Sequence, residues 1–234
     1  MTDDPAPVPR FATAVRTWQL SEMDLFADLS PAEMQAIADA APMRQVARGT
    51  LVWSPTRPVE LLFIVKQGRV RTYRTAADGR SLTTAIVGPG QLFGQMPVMG
   101  LRMDDGYAEM LDPGVLCVMT PADVERLLFG DLRIVTRITA LLGGRRAELE
   151  TRLTDTVLKP VAARICSTLA TLAGSPPSPV RLTHDQLADL VGTTRETTTK
   201  VLGDLKARSY VRLRRGRIDV LDPVAVLELA DGSA

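Results

Sequence analysis

The densest usable chemistry in this 234-residue chain lies between residues 193 and 217. Arg195 and Glu196 open the polar run RETTTK. A guanidinium can donate twice to guanine O6 and N7, and a carboxylate can accept from cytosine N4, so the pair suits reading base edges. Around it stand eight cations (Arg195, Lys200, Lys206, Arg208, Arg212, Arg214, Arg215, Arg217) against two anions, Glu196 and Asp204. So lopsided a stretch is the footprint of a phosphate-binding surface, whereas a merely solvated surface mixes its signs. The whole chain carries only +1, so the signal is local. Catalysis has no comparable footing. There is no nucleophile motif, no phosphate-cradling glycine loop and no convincing carboxylate pair, and the chain is not expected to be an enzyme. One histidine and two cysteines cannot build a Cys/His zinc site or supply four thiolates to an iron–sulfur cluster, so no metal or cofactor is expected.

Positioning that polar run falls to the segment LTHDQLADLVGTTRETTTKVLGDL. Thr183 and Gln186 have the spacing of a capping box. Leu187, Leu190 and Val191 then share one helical face, and Gly192 can stop the helix in the left-handed conformation. Thr193 or Thr194 caps a second helix, whose buried face is Val201, Leu202 and Leu205. Its exposed face is expected to hold Arg195, Glu196, Thr198, Thr199 and Lys200. Two short helices around a tight turn, the second presenting polar residues near its start, make a helix-turn-helix aimed at double-stranded DNA. Tyr210–Arg214 and Arg217–Leu221 flank Arg215-Gly216 as a hairpin, a wing whose Arg214 and Arg215 would meet phosphates. Asp222-Pro223 caps a last helix to about Ala230.

Composition is ordinary for a soluble globular protein at 45% hydrophobic and 24% charged, and the length allows two domains. Cys117 and Cys166 sit in apolar runs, which suits buried free thiols. The acidic, proline-rich opening MTDDPAPVPR is unlike an export signal, and no long apolar run follows, so no membrane association and a cytoplasmic setting are expected. Residues 1–20 read as loose, and Ser30-Pro31-Ala32-Glu33 opens a short helix to about Ala40. From Met43 to Met119 short apolar runs alternate with glycine and proline. Strands are expected at Leu61–Val65, Arg69–Arg74, Ser81–Val87, Ala108–Leu111 and Val115–Met119, with Gly88-Pro89-Gly90 and Gly94 punctuating a loop. The fold class is α+β: an N-terminal β-barrel or jelly-roll effector domain (21–130), a long dimerisation helix (131–158) and a C-terminal winged helix-turn-helix (159–234). The long helix carries Ile134, Ile138, Leu141, Leu142, Leu149, Leu153 and Val157 as an apolar stripe, broken by Gly143-Gly144. Ile138, Leu142, Leu149 and Leu153 are therefore expected at a homodimer interface.

In this assembled order the chain resembles the Crp/Fnr superfamily of bacterial transcription regulators. LTHDQLADLVGTTRETTTKVLGDLKARSYV, with its Gly-x-x-Arg-Glu-Thr core, carries the resemblance most specifically, and FIVKQGRVRTYR followed by GPGQLFG supports it. The resemblance implies base contacts from Arg195, Glu196 and Lys200, phosphate contacts from His184, Thr194 and Thr197, and RNA polymerase as a further partner. Lys200 replaces an arginine common in the family, and a point charge discriminates less than a bidentate fork. The family's cyclic-nucleotide pocket has Gly-Glu for the ribose and Arg-Ser or Arg-Thr before alanine for the phosphate. Here the matching stretches are Gly94-Gln95 and Asp104-Asp105-Gly106-Tyr107-Ala108. Gly94, Gln95, Arg102, Tyr107 and Arg137 remain the candidate effector pocket, and control by cyclic AMP is not expected. The alternative is a signalling module of the same fold that answers to a cyclic nucleotide or another small molecule.

Overall fold

The computed structural model describes residues 30–56, 58–174 and 177–231, so the opening segment read as loose lies outside them. Two compact units form. One comprises the described residues up to Thr75 with Thr84–Gly144, the other Ala76–Thr83 with Arg145 onward.

The first unit opens with α1 (Pro31–Ala40), started by the expected capping box. Ser30 Oγ accepts from Glu33 N, and the Glu33 carboxylate accepts from Ser30 N at 2.7 Å. Eight strands follow: β1 (Met43–Val46), β2 (Leu51–Trp53), β3 (Leu61–Gln67), β4 (Val70–Thr75), β5 (Ser81–Val87), β6 (Leu92–Gln95), β7 (Tyr107–Met110) and β8 (Gly114–Met119). They form two four-stranded sheets, ordered β1-β8-β3-β6 and β2-β7-β4-β5. The run LLFIV is apolar throughout because β3 is buried on both faces. Phe63 and Val65 join Trp53, Phe93, Met110 and Leu116 between the sheets, while Leu62 and Ile64 join Met43, Leu92, Cys117 and α1's Ile37 on the other side.

The sequence pattern missed β1, β2 and β6. The first two are short and largely exposed, so they lack an apolar run. The third contains Gly94, which reads as a loop signal, yet that glycine serves the strand. Its φ is +143°, and a Cβ there would lie 2.1 Å from the Leu61 carbonyl oxygen, so only glycine lets β6 pair with β3 at this point.

After β8, Thr120 caps a helical turn at Pro121–Asp123 that widens into a π turn over Val124–Leu128. Next comes α2 (Leu132–Leu158), 27 residues long. It runs unbroken through Gly143-Gly144, and an added Cβ on either glycine would meet nothing within 4 Å. The apolar stripe is divided instead. Ile134 and Ile138 are buried in the first unit's own core, with Leu141 and Leu142 packed against them. Ile138, expected to face a partner, is therefore corrected to a core residue at 5% exposure.

The second unit holds α3 (Val161–Ala173), α4 (His184–Val191), α5 (Arg195–Ala207), β9 (Val211–Arg214), β10 (Arg217–Val220) and α6 (Pro223–Ala230). Ile165, Leu169, Leu187, Leu202, Leu205 and Val226 are among its buried side chains. Both cysteines are free and buried, and burial pushes the Cys166 thiol up to about 11, away from reactive thiolate chemistry.

Gly94→Ala is expected to destabilise the first unit by roughly 3 kcal/mol or more, because the methyl collides with backbone that cannot rotate away. A denaturant midpoint within error of the parent protein's would contradict that geometry.

Candidate nucleic-acid interface

The helix pair α4–α5 is fixed by local hydrogen bonds that the sequence made legible. Thr183 Oγ1 accepts from Gln186 N, and Gln186 Oε1 accepts from Thr183 N at 2.9 Å. Gly192 takes φ +75°, the left-handed C-cap that turns the chain. Thr194, rather than Thr193, caps α5, its Oγ1 accepting from Thr197 N. The two helices are also tied by side chains: His184 Nδ1 and Thr199 Oγ1 lie 2.9 Å apart, and Arg195 Nε stands 3.7 Å from Asp185 Oδ1. The Arg195–Asp185 pair is largely solvated, 72% and 61% exposed, so it holds little energy and yields readily to a guanine edge.

Arg195, Glu196, Thr199 and Lys200 are all exposed, at i, i+1, i+4 and i+5 on one face of α5. Thr198 corrects the expected face. It is fully buried with Leu202 and Leu205, and its hydroxyl oxygen has no hydrogen-bond partner among the described residues. An unsatisfied buried hydroxyl costs about 1–3 kcal/mol. Its place follows from helical spacing, since Thr198, Leu202 and Leu205 recur at i, i+4 and i+7; a polar side-chain name concealed it. Of the candidate phosphate contacts, Thr194 and Thr197 lie at the start of α5, while His184 opens α4 and meets Thr199 a turn further along α5. The helix dipole and first-turn N–H groups of α5 favour an anion, although the Thr194 cap already engages Thr197 N.

The wing forms as expected from β9 and β10, with Arg215-Gly216 at its tip and Gly216 at φ +65°. Asp219 lies just past the cation-rich stretch and changes its charge balance. Its carboxylate lies 2.6 Å from Arg217 Nε and 3.6 Å from Arg214 Nε, with its side chain 14% exposed. Arg215 is exposed at the tip. A second residue that sequence spacing could not reveal is Arg152 on α2. Its Nη2 donates to the carbonyls of Thr83 (2.9 Å) and Leu190 (2.8 Å), while Ser81 Oγ donates to Asp189 Oδ2 at 2.6 Å. Arg152 thus satisfies a carbonyl in the last turn of α4, where such groups lack intrahelical donors. The partners are separated by up to 108 residues, so no local pattern announces them.

The candidate effector residues do not converge as a set. Gln95 Oε1 accepts from Met103 N at 2.7 Å, which takes one of the two acceptor sites of the oxygen expected to meet a ligand hydroxyl. Arg102 is exposed. Tyr107 lies on the outer side of its sheet, opposite the inward-facing Ala108 and Met110, and stacks on Tyr73 at 5.3 Å. Arg71 covers the Tyr73 ring at 4.4 Å; burial, then the nearby Glu109 charge, raises the Tyr73 phenol above its usual range. Tyr107 is therefore corrected from a pocket position to an outer-face one. Asp105 pairs with Arg74, and Asp104 sits at a positive φ of 41°. Arg137 lies on α2 between Ile134 and Ile138. Among the described residues no group of three or more His, Cys, Asp or Glu could hold a metal ion, and no helix is long and apolar enough to cross a membrane.

Comparison with known proteins agrees with this architecture. Residues 43–131 match the model of the cyclic nucleotide-binding domain, and residues 163–229 match that of the Crp-like helix-turn-helix domain. The cyclic AMP receptor protein of Thermus thermophilus is 28% identical over 211 residues, covering 90% of this chain and 98% of that protein. The global nitrogen regulator of Synechococcus elongatus is 25% identical, covering 79% and 87%. The structure of FixK2 from Bradyrhizobium japonicum superposes with a TM-score of 0.71 at 19% identity, covering 81% of this chain and 96% of that one, and shows the shared fold. The chain belongs to the Crp/Fnr superfamily and is a transcription regulator of that type, in a family of DNA-binding proteins rather than enzymes.

Asp219→Asn is expected to release the Arg214 and Arg217 guanidinium groups. Affinity for random DNA should rise, and the slope of log affinity against log salt should steepen by about 1–2, close to one per freed phosphate contact. Filter binding across a salt series reads this directly, and an unchanged slope would remove Asp219 as the wing's internal counter-charge.

Proposed function

We propose that the chain is a homodimeric, sequence-specific DNA reader that works without cyclic AMP. The observation that carries the DNA part is the exposed quartet Arg195, Glu196, Thr199 and Lys200 on a helix whose opposite face is locked in the core. Arg195 and Glu196 supply directional contacts to a G·C pair, Lys200 a less selective charge, and Arg215 a phosphate contact from the wing. Such a reader would meet RNA polymerase at promoters in the cytoplasm. Its test is Arg195→Ala, which should cost roughly 1–3 kcal/mol on the preferred site and little on random DNA. Equal losses on both would remove Arg195 from the reading set.

The dimer reading rests on the half of α2 that its own core leaves uncovered. Leu149, Leu153 and Val157 recur at i, i+4 and i+8, and are 46%, 67% and 74% exposed. Burying what remains exposed of each gains roughly half to three-quarters of the ~1.5–3 kcal/mol that a fully exposed side chain gains, and a parallel copy of the same stripe offers that burial with the two-fold symmetry a palindromic site needs. Changing Leu149 and Leu153 together to lysine should yield monomers with unchanged helix content. Sedimentation of that variant as a dimer would place the interface elsewhere.

Independence from cyclic AMP rests on the state of the polar anchors. The Gln95 oxygen is engaged by Met103, and residues 104–108 contribute two carboxylates and no cation where a cyclic phosphate would need one. The Thermus relative is named for cyclic AMP, and Gly94-Gln95 and residues 104–108 depart from the Gly-Glu and Arg-Ser or Arg-Thr pattern that the family resemblance implies for such a ligand. Two losses of about 1–3 kcal/mol each carry a micromolar pocket toward millimolar. Melting in the presence of cyclic AMP or cyclic GMP at about 100 μM should leave the midpoint unmoved, since only binding to the folded state raises it. A clear rise confirmed by calorimetry would restore the nucleotide pocket, with Arg102 the first candidate phosphate partner.

A further inference from the structure

We infer that His184 fixes the direction of the Thr199 hydroxyl and, through it, one letter of the DNA site: an amino base, adenine or cytosine, on the strand that Thr199 meets. This rests on the reading of α5 as the base-reading helix and adds a specificity-determining pair to it, with His184 as the positioning residue.

His184 is the first residue of α4, and its Nδ1 lies 2.9 Å from Thr199 Oγ1 on α5. Among the described residues neither side chain makes another hydrogen bond. The neighbouring carboxylate, Asp185, stands 3.7 Å from Arg195 Nε and not on the ring. On the long helix the exposed Thr136, Thr139, Thr151, Thr154 and Thr156 each donate their hydroxyl to the carbonyl four residues back, at 2.8–3.0 Å. Thr199 is also exposed and also inside a helix, yet its hydroxyl is turned to the imidazole.

Which of the two atoms donates follows from what the far side of the ring meets. A neutral imidazole carries one proton, so one ring nitrogen donates and the other accepts. A DNA phosphate offers only acceptors. When the ring docks against one, its proton must sit on Nε2, and Nδ1 keeps a lone pair. Thr199 must then donate to Nδ1. Its single proton is committed, and the lone pairs of Oγ1 are all it has left for a base edge. In the major groove the exocyclic donors are adenine N6 and cytosine N4, while guanine O6 and N7 and thymine O4 accept. A hydroxyl that can only accept therefore selects an amino base, and meets a keto base lone pair against lone pair. A free threonine hydroxyl rotates to suit either and selects neither. The histidine thus turns an indifferent side chain into a selective one, and ties that selection to a backbone contact made by the first helix.

The test uses the full chain and the site it selects from random DNA, with every single-base variant of one half-site measured by competition titration. Thr199→Val keeps the shape and removes the hydroxyl, so the position whose preference it abolishes is the one Thr199 reads. The parent protein should favour an amino base there by about tenfold, the cost of one mismatched contact. His184→Ala should level that same position and leave the positions governed by Arg195 as they were. His184→Asp separates the relay from a plain backbone contact. A carboxylate oxygen two bonds from Cβ stands where Nδ1 stood and only accepts, but it repels phosphate. That variant should bind every DNA more weakly than His184→Ala and still keep the amino preference. Thr199 is exposed and His184 partly so, and the melting midpoint of each variant verifies its folding. An undiminished preference in His184→Ala, its loss in His184→Asp, or a keto base at the Thr199 position would each overturn the inference. So would a relaxation of all positions together. If the positions that answer to Arg195 persist while none answers to Thr199→Val, the relay fails and the DNA reader stands; no base preference at any position removes both.

Discussion

The reading face of α5 exists because its opposite face cannot move. Thr198 and Leu202 are fully buried and Leu205 nearly so, which fixes the rotation of the helix about its axis. At 100° per residue, that rotation sets where Arg195, Glu196, Thr199 and Lys200 point. Gly192 and the Thr194 cap then set where the helix begins. Base recognition tolerates errors of only tenths of an ångström in a bidentate contact, so a buried hydroxyl without a partner is an accepted cost when threonine fills a position that orients the rest. The remaining DNA-facing features adjust strength and not direction: Asp219 lowers the wing's effective charge, and Asp185 holds the Arg195 guanidinium near its resting place.

The same economy governs the long helix. One apolar stripe serves two purposes along its length, its first half closing the β unit's core through Ile134 and Ile138, its second half left exposed. The change of role falls at Gly143-Gly144, where an added side chain would have met open space. Those glycines do not permit a close backbone approach within the chain. What they give up is helix propensity, about 1 kcal/mol each relative to alanine, at the point where the two compact units divide.

Much of this was legible in the residues, because the signals were local. The capping boxes at Ser30 and Thr183, the Asp222 cap, the β5 strand at Ser81–Val87 and the wing around Arg215-Gly216 depend on neighbours within a few positions. What the sequence concealed was decided at long range. Gly94 looked like a loop signal because its reason, the Leu61 carbonyl, lies on another strand. Tyr107 looked like a pocket residue because its position follows the family's cyclic-phosphate motif, but the strand alternation that buries Ala108 turns Tyr107 outward. Ile138 looked like interface because an apolar stripe does not declare which surface covers it. The Arg152 bridge belongs to this class too, since a pattern along the chain gives no account of which carbonyl meets a guanidinium.

Selecting bound fragments from random duplex DNA, then footprinting the winners at nucleotide resolution, bears most directly on the account as a whole. One rigid reading helix per protomer and a two-fold stripe on α2 predict an inverted repeat, with half-site centres about 34 Å, one helical turn, apart. They also predict that each half-site contains a G·C pair whose loss abolishes enrichment. A selected site without two-fold symmetry, or enrichment indistinguishable from random sequence in low salt, would contradict it.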